Sequence, residues 1–183
     1  MGLKHILIVL SVLLFSCKSA VAPPVKPKAP IVEATAPVEE KFDTPQGWQK
    51  YETNNISFSV PGDWNKSISD DPDSDVSVSF FSSEESLMLI YAEQSFDGNL
   101  KAYARSVFTE FRDEDAEFKD GSFIKVDSVN VIEAIFFKQH VGIVVFVTVK
   151  NSYGHVMYCA GLQKNLQIVG QACEAIMLTV KFK

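Results

Sequence analysis

The side chains of this sequence that could do chemistry are three cysteines, three histidines and 23 carboxylates, so we begin with what their spacing allows. A metal site needs His, Cys or carboxylate ligands at short helical or turn spacings, and neither His140 nor His155 has such a companion. The turn Asp71-Pro72-Asp73-Ser74-Asp75 matches the opening of a calcium loop. Its sixth position, however, is Val76 where glycine is needed, and its twelfth is Ser82 where a bidentate Glu belongs. It reads as a solvated turn. No serine lies in a Gly-x-Ser-x-Gly elbow. The carboxylate groups Glu84-Glu85 and Asp113-Glu114-Asp115 are neighbours in sequence, so they point apart on a strand or form a wet helix end. The nine glycines are scattered, leaving no loop to cradle phosphate. We therefore expect no catalytic residue, no metal and no cofactor, and a protein that is not an enzyme.

The elements that must carry these residues follow from hydrophobic period. Ile56, Phe58 and Val60 alternate with serine, as do Val76, Val78 and Phe80, which predicts strands with one wet face. The stretches "SLMLIYAEQ" and "VGIVVFVTV" are apolar on both faces and predict strands inside a covered sheet, while "KNSYGH" predicts a hairpin. Leu100, Tyr103, Ala104, Val107, Phe108 and Phe111 form a helical stripe that Asp97 or Asn99 can cap. A second stripe follows Asn165, with Leu166, Val169, Cys173, Ile176 and Met177. Short links between strands and two separated amphipathic helices predict an α/β fold. Specifically, they predict an α/β/α sandwich with a largely antiparallel central sheet and a helix layer on each face.

Cys159 near the end of a strand and Cys173 about two turns into the following helix come to similar heights. A disulfide needs Cα atoms about 4.4 to 6.8 Å apart, whereas a helix lying on a sheet keeps them about 7 to 8 Å apart. A bridge and two separate core thiols both remain open.

The third cysteine, Cys17, belongs to a different part of the chain. Lys4 and His5 precede a ten-residue run, Ile6 to Phe15, whose one polar residue is Ser11. The run is too short to span a bilayer, which takes about 20 residues, and its charged start marks a secretory signal. Leu14-Phe15-Ser16-Cys17 resembles the lipobox of bacterial lipoproteins. That resemblance implies a signal peptide over 1–16, a lipidated Cys17 at the mature N-terminus, and, with Lys18 next, sorting to the outer membrane facing the periplasm. Phe15 departs from the small residue usual at its position. Residues 17–45 hold six of the chain's eight prolines. Proline fixes φ and donates no N–H, so this segment is expected to be a disordered tether, up to roughly 85 Å long if polyproline-like.

Residues 46–183 form one domain's worth of chain. Tyr51, Phe58-Ser59-Val60-Pro61 and Trp64, followed by strands, a helix, a long hairpin and a terminal helix ending "IMLTVKF", resemble the PsbP-like family, including DcrB-like bacterial lipoproteins. The family includes extrinsic subunits of the photosynthetic oxygen-evolving complex. The resemblance implies an accessory role and offers no catalytic residues. Pro61 is expected to end a strand and Trp64 to fold back over the sheet.

The formal net charge of −6 excludes a basic nucleic-acid face and adhesion to anionic lipid. Membrane attachment is then expected through the N-terminal lipid, with an unknown envelope protein as partner. The leading expectation is a lipid-anchored, non-enzymatic accessory or binding protein of the bacterial cell envelope. The alternative is a small-ligand carrier with a cleft lined by Trp48, Tyr51 and Trp64.

Overall fold

The structure is a computed structural model that describes residues 44–68, 74–82 and 86–183. The expected signal, Cys17 and nearly all of the tether lie outside the described residues. So do Asp71 to Asp73 of the acidic turn, and Glu84 and Glu85.

Alternating and continuous apolar runs build ten strands among the described residues: β1 (Trp48–Glu52), β2 (Ile56–Pro61), β3 (Asn65–Ile68), β4 (Val76–Ser82), β5 (Leu87–Ser95), β6 (Glu117–Val126), β7 (Val129–Lys138), β8 (Val141–Lys150), β9 (Tyr153–Leu162) and β10 (Lys181–Phe182). Helix α1 (Leu100–Asp113) follows β5, and α2 (Leu166–Met177) follows a short 3-10 turn after β9. Asn99 caps α1, its side-chain oxygen accepting from Ala102 N at 3.0 Å. Asp127-Ser128 and Asn151-Ser152 all have positive φ, as two-residue turns matched to strand twist require. They close the β6–β7 and β8–β9 hairpins.

The expected α/β/α sandwich with a helix layer on each face is overturned. The described residues are mainly β, with two antiparallel sheets and two helices among them. A seven-stranded sheet runs β3-β4-β5-β9-β8-β7-β6, and β1, β2 and β10 form a separate three-stranded sheet in the order β1-β2-β10. That small sheet shares one face of the large sheet with α2. Ile56, Phe58 and Val60 join Phe80, Leu89, Tyr91, Cys159 and Val169 in one core. On the other face the single helix α1 packs on β7 and β8, and Tyr103, Val107 and Phe111 enter a second core with Phe136, Val145 and Tyr158. Strand periodicity says that a face is buried. It does not say to which sheet the strand belongs, and that is where the expectation failed.

The same separation corrects the wet face of β2. Ser57 and Ser59 are buried, because β2 is the middle strand of its sheet and Thr179, just after α2, covers it. Ser59 N donates to Thr179 Oγ1 at 2.8 Å. Pro61 does end β2, and Trp64 is buried in the core beneath, with Gln49 Nε2 donating to its carbonyl at 2.8 Å.

Candidate functional site

The sequence carries Tyr91 and Glu93 two apart on β5, and strand alternation places them on one face. Antiparallel register sets His155 of β9 directly opposite Glu93. The result is a polar cluster inside the core. Tyr91 is 0% exposed, while Glu93 and His155 are each 3% exposed. The Tyr91 hydroxyl lies 2.5 Å from Glu93 Oε2 and 2.9 Å from His155 Nδ1. Thr53 Oγ1 donates to Glu93 Oε2 at 3.2 Å and Asn55 Nδ2 to Oε1 at 3.3 Å. A carboxylate surrounded by donors assigns the direction of the chain: Tyr91 donates to Glu93 and accepts the Nδ1 proton of His155.

That assignment leaves His155 Nε2 with a free lone pair, and it has no hydrogen-bond partner. Burial holds the imidazole below its ordinary range, with Glu93 and the Lys150 backbone pulling the other way. The ring is therefore a neutral base. Burial, followed by the bond to Glu93, pushes the Tyr91 phenol far up, so it stays protonated. His155 lines a cavity of about 10 Å³ together with Thr148, Phe146, Met157, Met177 and Phe182, a volume suited to one water-sized occupant. Phe182 of β10 closes it, its ring 5.5 Å from that of His155.

The short β10 is pinned over this cluster. Phe182 N donates to Asp127 Oδ2 at 3.0 Å, Lys183 N to the Asn55 carbonyl at 2.9 Å, and Asn151 Nδ2 to the Lys183 carbonyl at 2.9 Å. Lys183 Nζ pairs with Glu52 at 2.7 Å. Hydrogen bonds from Lys183 and then Lys50 hold the Glu52 carboxyl at about 2.

The residues singled out from sequence fall elsewhere. Cys159 and Cys173 are joined in a disulfide with Cα atoms 5.8 Å apart. The helix comes closer to the strand than ordinary layer spacing because Gly161 lies under it, where a Cβ would meet Val169 Cγ2 at 2.7 Å. Tyr51 packs its ring 5.1 Å from Phe58 and 5.8 Å from Phe80, Trp64 is buried, and Trp48 is half-buried against the same core. Trp64 belongs to the core between the two sheets, and Tyr51 and Trp48 pack against it. Asp75, from the acidic turn, accepts from Ser95 N at 2.7 Å and Ser95 Oγ at 3.0 Å, tying β4's start to β5's end. His140 lies at the surface beside Leu162, Gln163 and Lys164. Among the described residues no three His, Cys, Asp or Glu side chains converge. The mostly apolar run of β5 conceals the Tyr91–Glu93–His155 cluster in the sequence. The signal was Glu93, a carboxylate in phase with Tyr91 inside that run.

Two antiparallel sheets, the smaller stacked with α2 on one face of the larger and α1 on the opposite face, define a mainly β architecture. The chain is similar to cyanobacterial PsbP (CyanoP) from Synechocystis sp. PCC 6803, whose solution structure aligns with a TM-score of 0.61 at 12% identity, over 75% of this chain and 93% of that one. The fold is PsbP-like. A crystal structure from Bacteroides thetaiotaomicron VPI-5482 aligns at a TM-score of 0.46 and 13% identity, over 70% of this chain and 45% of that chain. No protein-family model matches the chain, and no curated protein matches it.

Proposed function

We propose that this chain is a non-enzymatic accessory or binding protein of the bacterial cell envelope. In this reading it is lipidated at Cys17, sorted to the outer membrane facing the periplasm, and holds the domain 46–183 off the bilayer on the proline-rich segment. The observation that carries the non-enzymatic part is the sealing of the acid–base cluster. Tyr91, Glu93 and His155 have the right types for proton transfer, but they sit inside the core beside a cavity of about 10 Å³, too small for an organic substrate. A general base must come within hydrogen-bond reach of its substrate. The PsbP-like fold is in keeping with an accessory role, and the Cys159–Cys173 disulfide is in keeping with an oxidising compartment. A domain tethered near membrane complexes gains effective concentration for a weak partner.

Detergent phase partitioning tests the anchor. The wild-type chain, expressed in a bacterium with lipoprotein processing, should enter the detergent phase and Cys17→Ser should leave it. Retention of the serine variant in detergent would sink the anchor. In-cell crosslinking of the anchored form should then recover an envelope protein in fixed stoichiometry.

A further inference from the structure

The cavity beside His155 has a lining poorer in polar atoms than a buried water usually finds. A buried water makes about three hydrogen bonds. Here the polar atoms on offer are two acceptors, His155 Nε2 and the Thr148 oxygen, whose own hydrogen goes to the Asn130 carbonyl at 2.7 Å, so a water would find two partners and no donor. The rest of the wall is hydrocarbon, aromatic rings and two thioethers. His155 and Met157 stand two apart on β9 and share its face, and Met177 ends α2 against the same cavity.

One imidazole nitrogen with a free lone pair and two thioethers, walled in by apolar side chains, is a soft donor set. Thioether sulfur selects Cu(I) among biological metals, whereas Mg²⁺ and Ca²⁺ require oxygen. The carboxylate nearest the cavity, Glu93, is already held by three donors and sits behind Tyr91. It can balance the charge of a monovalent ion through the Tyr91–His155 relay without entering the coordination sphere. Ligating histidines usually have their second nitrogen fixed in this way.

We propose that His155 Nε2, Met157 and Met177 form a binding site for one soft monovalent cation, with Cu(I) the biological member of that class. The neutral imidazole that burial favours is the ligating form. Entry runs beneath Phe182, since β10 pairs with β2 at two positions, Lys181↔Ser57 and Phe182↔Ile56, and is the shortest strand of the domain. The site binds without redox change at the protein. It stands independently of the envelope reading above.

The test uses the full chain carrying Cys17→Ser, with the Cys159–Cys173 bridge verified intact by absence of alkylation, so that no thiol competes. Cu(I) kept reduced with ascorbate is titrated against a chromophoric chelator, and Ag(I) is followed by methyl NMR of the methionines. The expected result is withdrawal of one equivalent of Cu(I), with Ag(I) shifting the Met157 and Met177 methyls while Met88, in the opposite core, stays put. Met157→Leu with Met177→Leu keeps apolar volume and folding, and should abolish withdrawal. No withdrawal by the parent chain, or withdrawal that survives the leucine pair in a variant with native circular dichroism, overturns the site. Zn(II) displacing Cu(I) at equal concentration overturns the assignment of class.

Discussion

His155 is the residue on which most of the domain's polar chemistry turns, and its burial has a thermodynamic consequence. Its folded value is depressed below the ordinary 6.5, so between the two values the unfolded chain binds more protons than the folded one. Stability then rises with pH through that window, is complete above about 6.5, and is lost as pH falls below it. Urea midpoints measured from pH 8 down to 5.5 should fall for the wild type. In His155→Asn, which offers an amide donor to Tyr91 and no titrating ring, the slope through this window should flatten; an unchanged slope would assign the pH dependence to other groups. At this scale the sequence was least legible. Glu93 and His155 are 62 residues apart, and nothing local to either announces that β5 and β9 are neighbours. Trp48, Tyr51 and Trp64 were visible as a group, yet residue type could not say whether their rings line a cleft or hold two sheets together.

Elements were read more successfully, because each writes its own period. Both helices lie where their stripes place them, Asn99 and not Asp97 caps α1, and the turn at Asn151-Ser152 follows from "KNSYGH". What period could not supply was the distance between elements. Ordinary layer spacing would have kept Cys159 and Cys173 apart, and Gly161 removes the side chain that enforces it. The bridge ties α2 to β9 across a separation of 14 residues. Closing a loop of that size contributes about 3 kcal/mol in the chain-entropy account. Replacing both cysteines by alanine should lower the urea-derived unfolding free energy by about that amount, and adding reductant to the wild type should do the same. A double variant as stable as the wild type under oxidising conditions would show that the core of α2 suffices without the bridge.

For the whole molecule, element order gave the PsbP-like likeness, and the same order misled about layers. The N-terminal strands β1 and β2 stand outside the central sheet, and β2 finds its second neighbour in β10, more than 100 residues on. The clasp of Lys181 to Lys183 joins both sheets, through Asn55 and Glu52 on one side and Asp127 and Asn151 on the other. Deleting residues 181–183 removes the half-buried Phe182 and these bonds. It should cost about 2 to 3 kcal/mol, read as a lower melting temperature with retained strand signal in circular dichroism. A loss within error would make the clasp decorative.

The strand order also sets a timetable. β5 lies between β4 and β9, and β2 lies between β1 and β10, so each sheet needs a strand made long after its neighbours. A chain emerging from its N-terminus can form the β6–β7–β8 meander early, but neither sheet is complete until its last 30 or so residues are free to join. Until then Tyr91 and Glu93 lack His155, and Ile56 to Val60 lack α2 and β10. Both sheets of such a polypeptide stay incomplete for most of its synthesis, so the core between them closes late and in one step with the arrival of β9, α2 and β10.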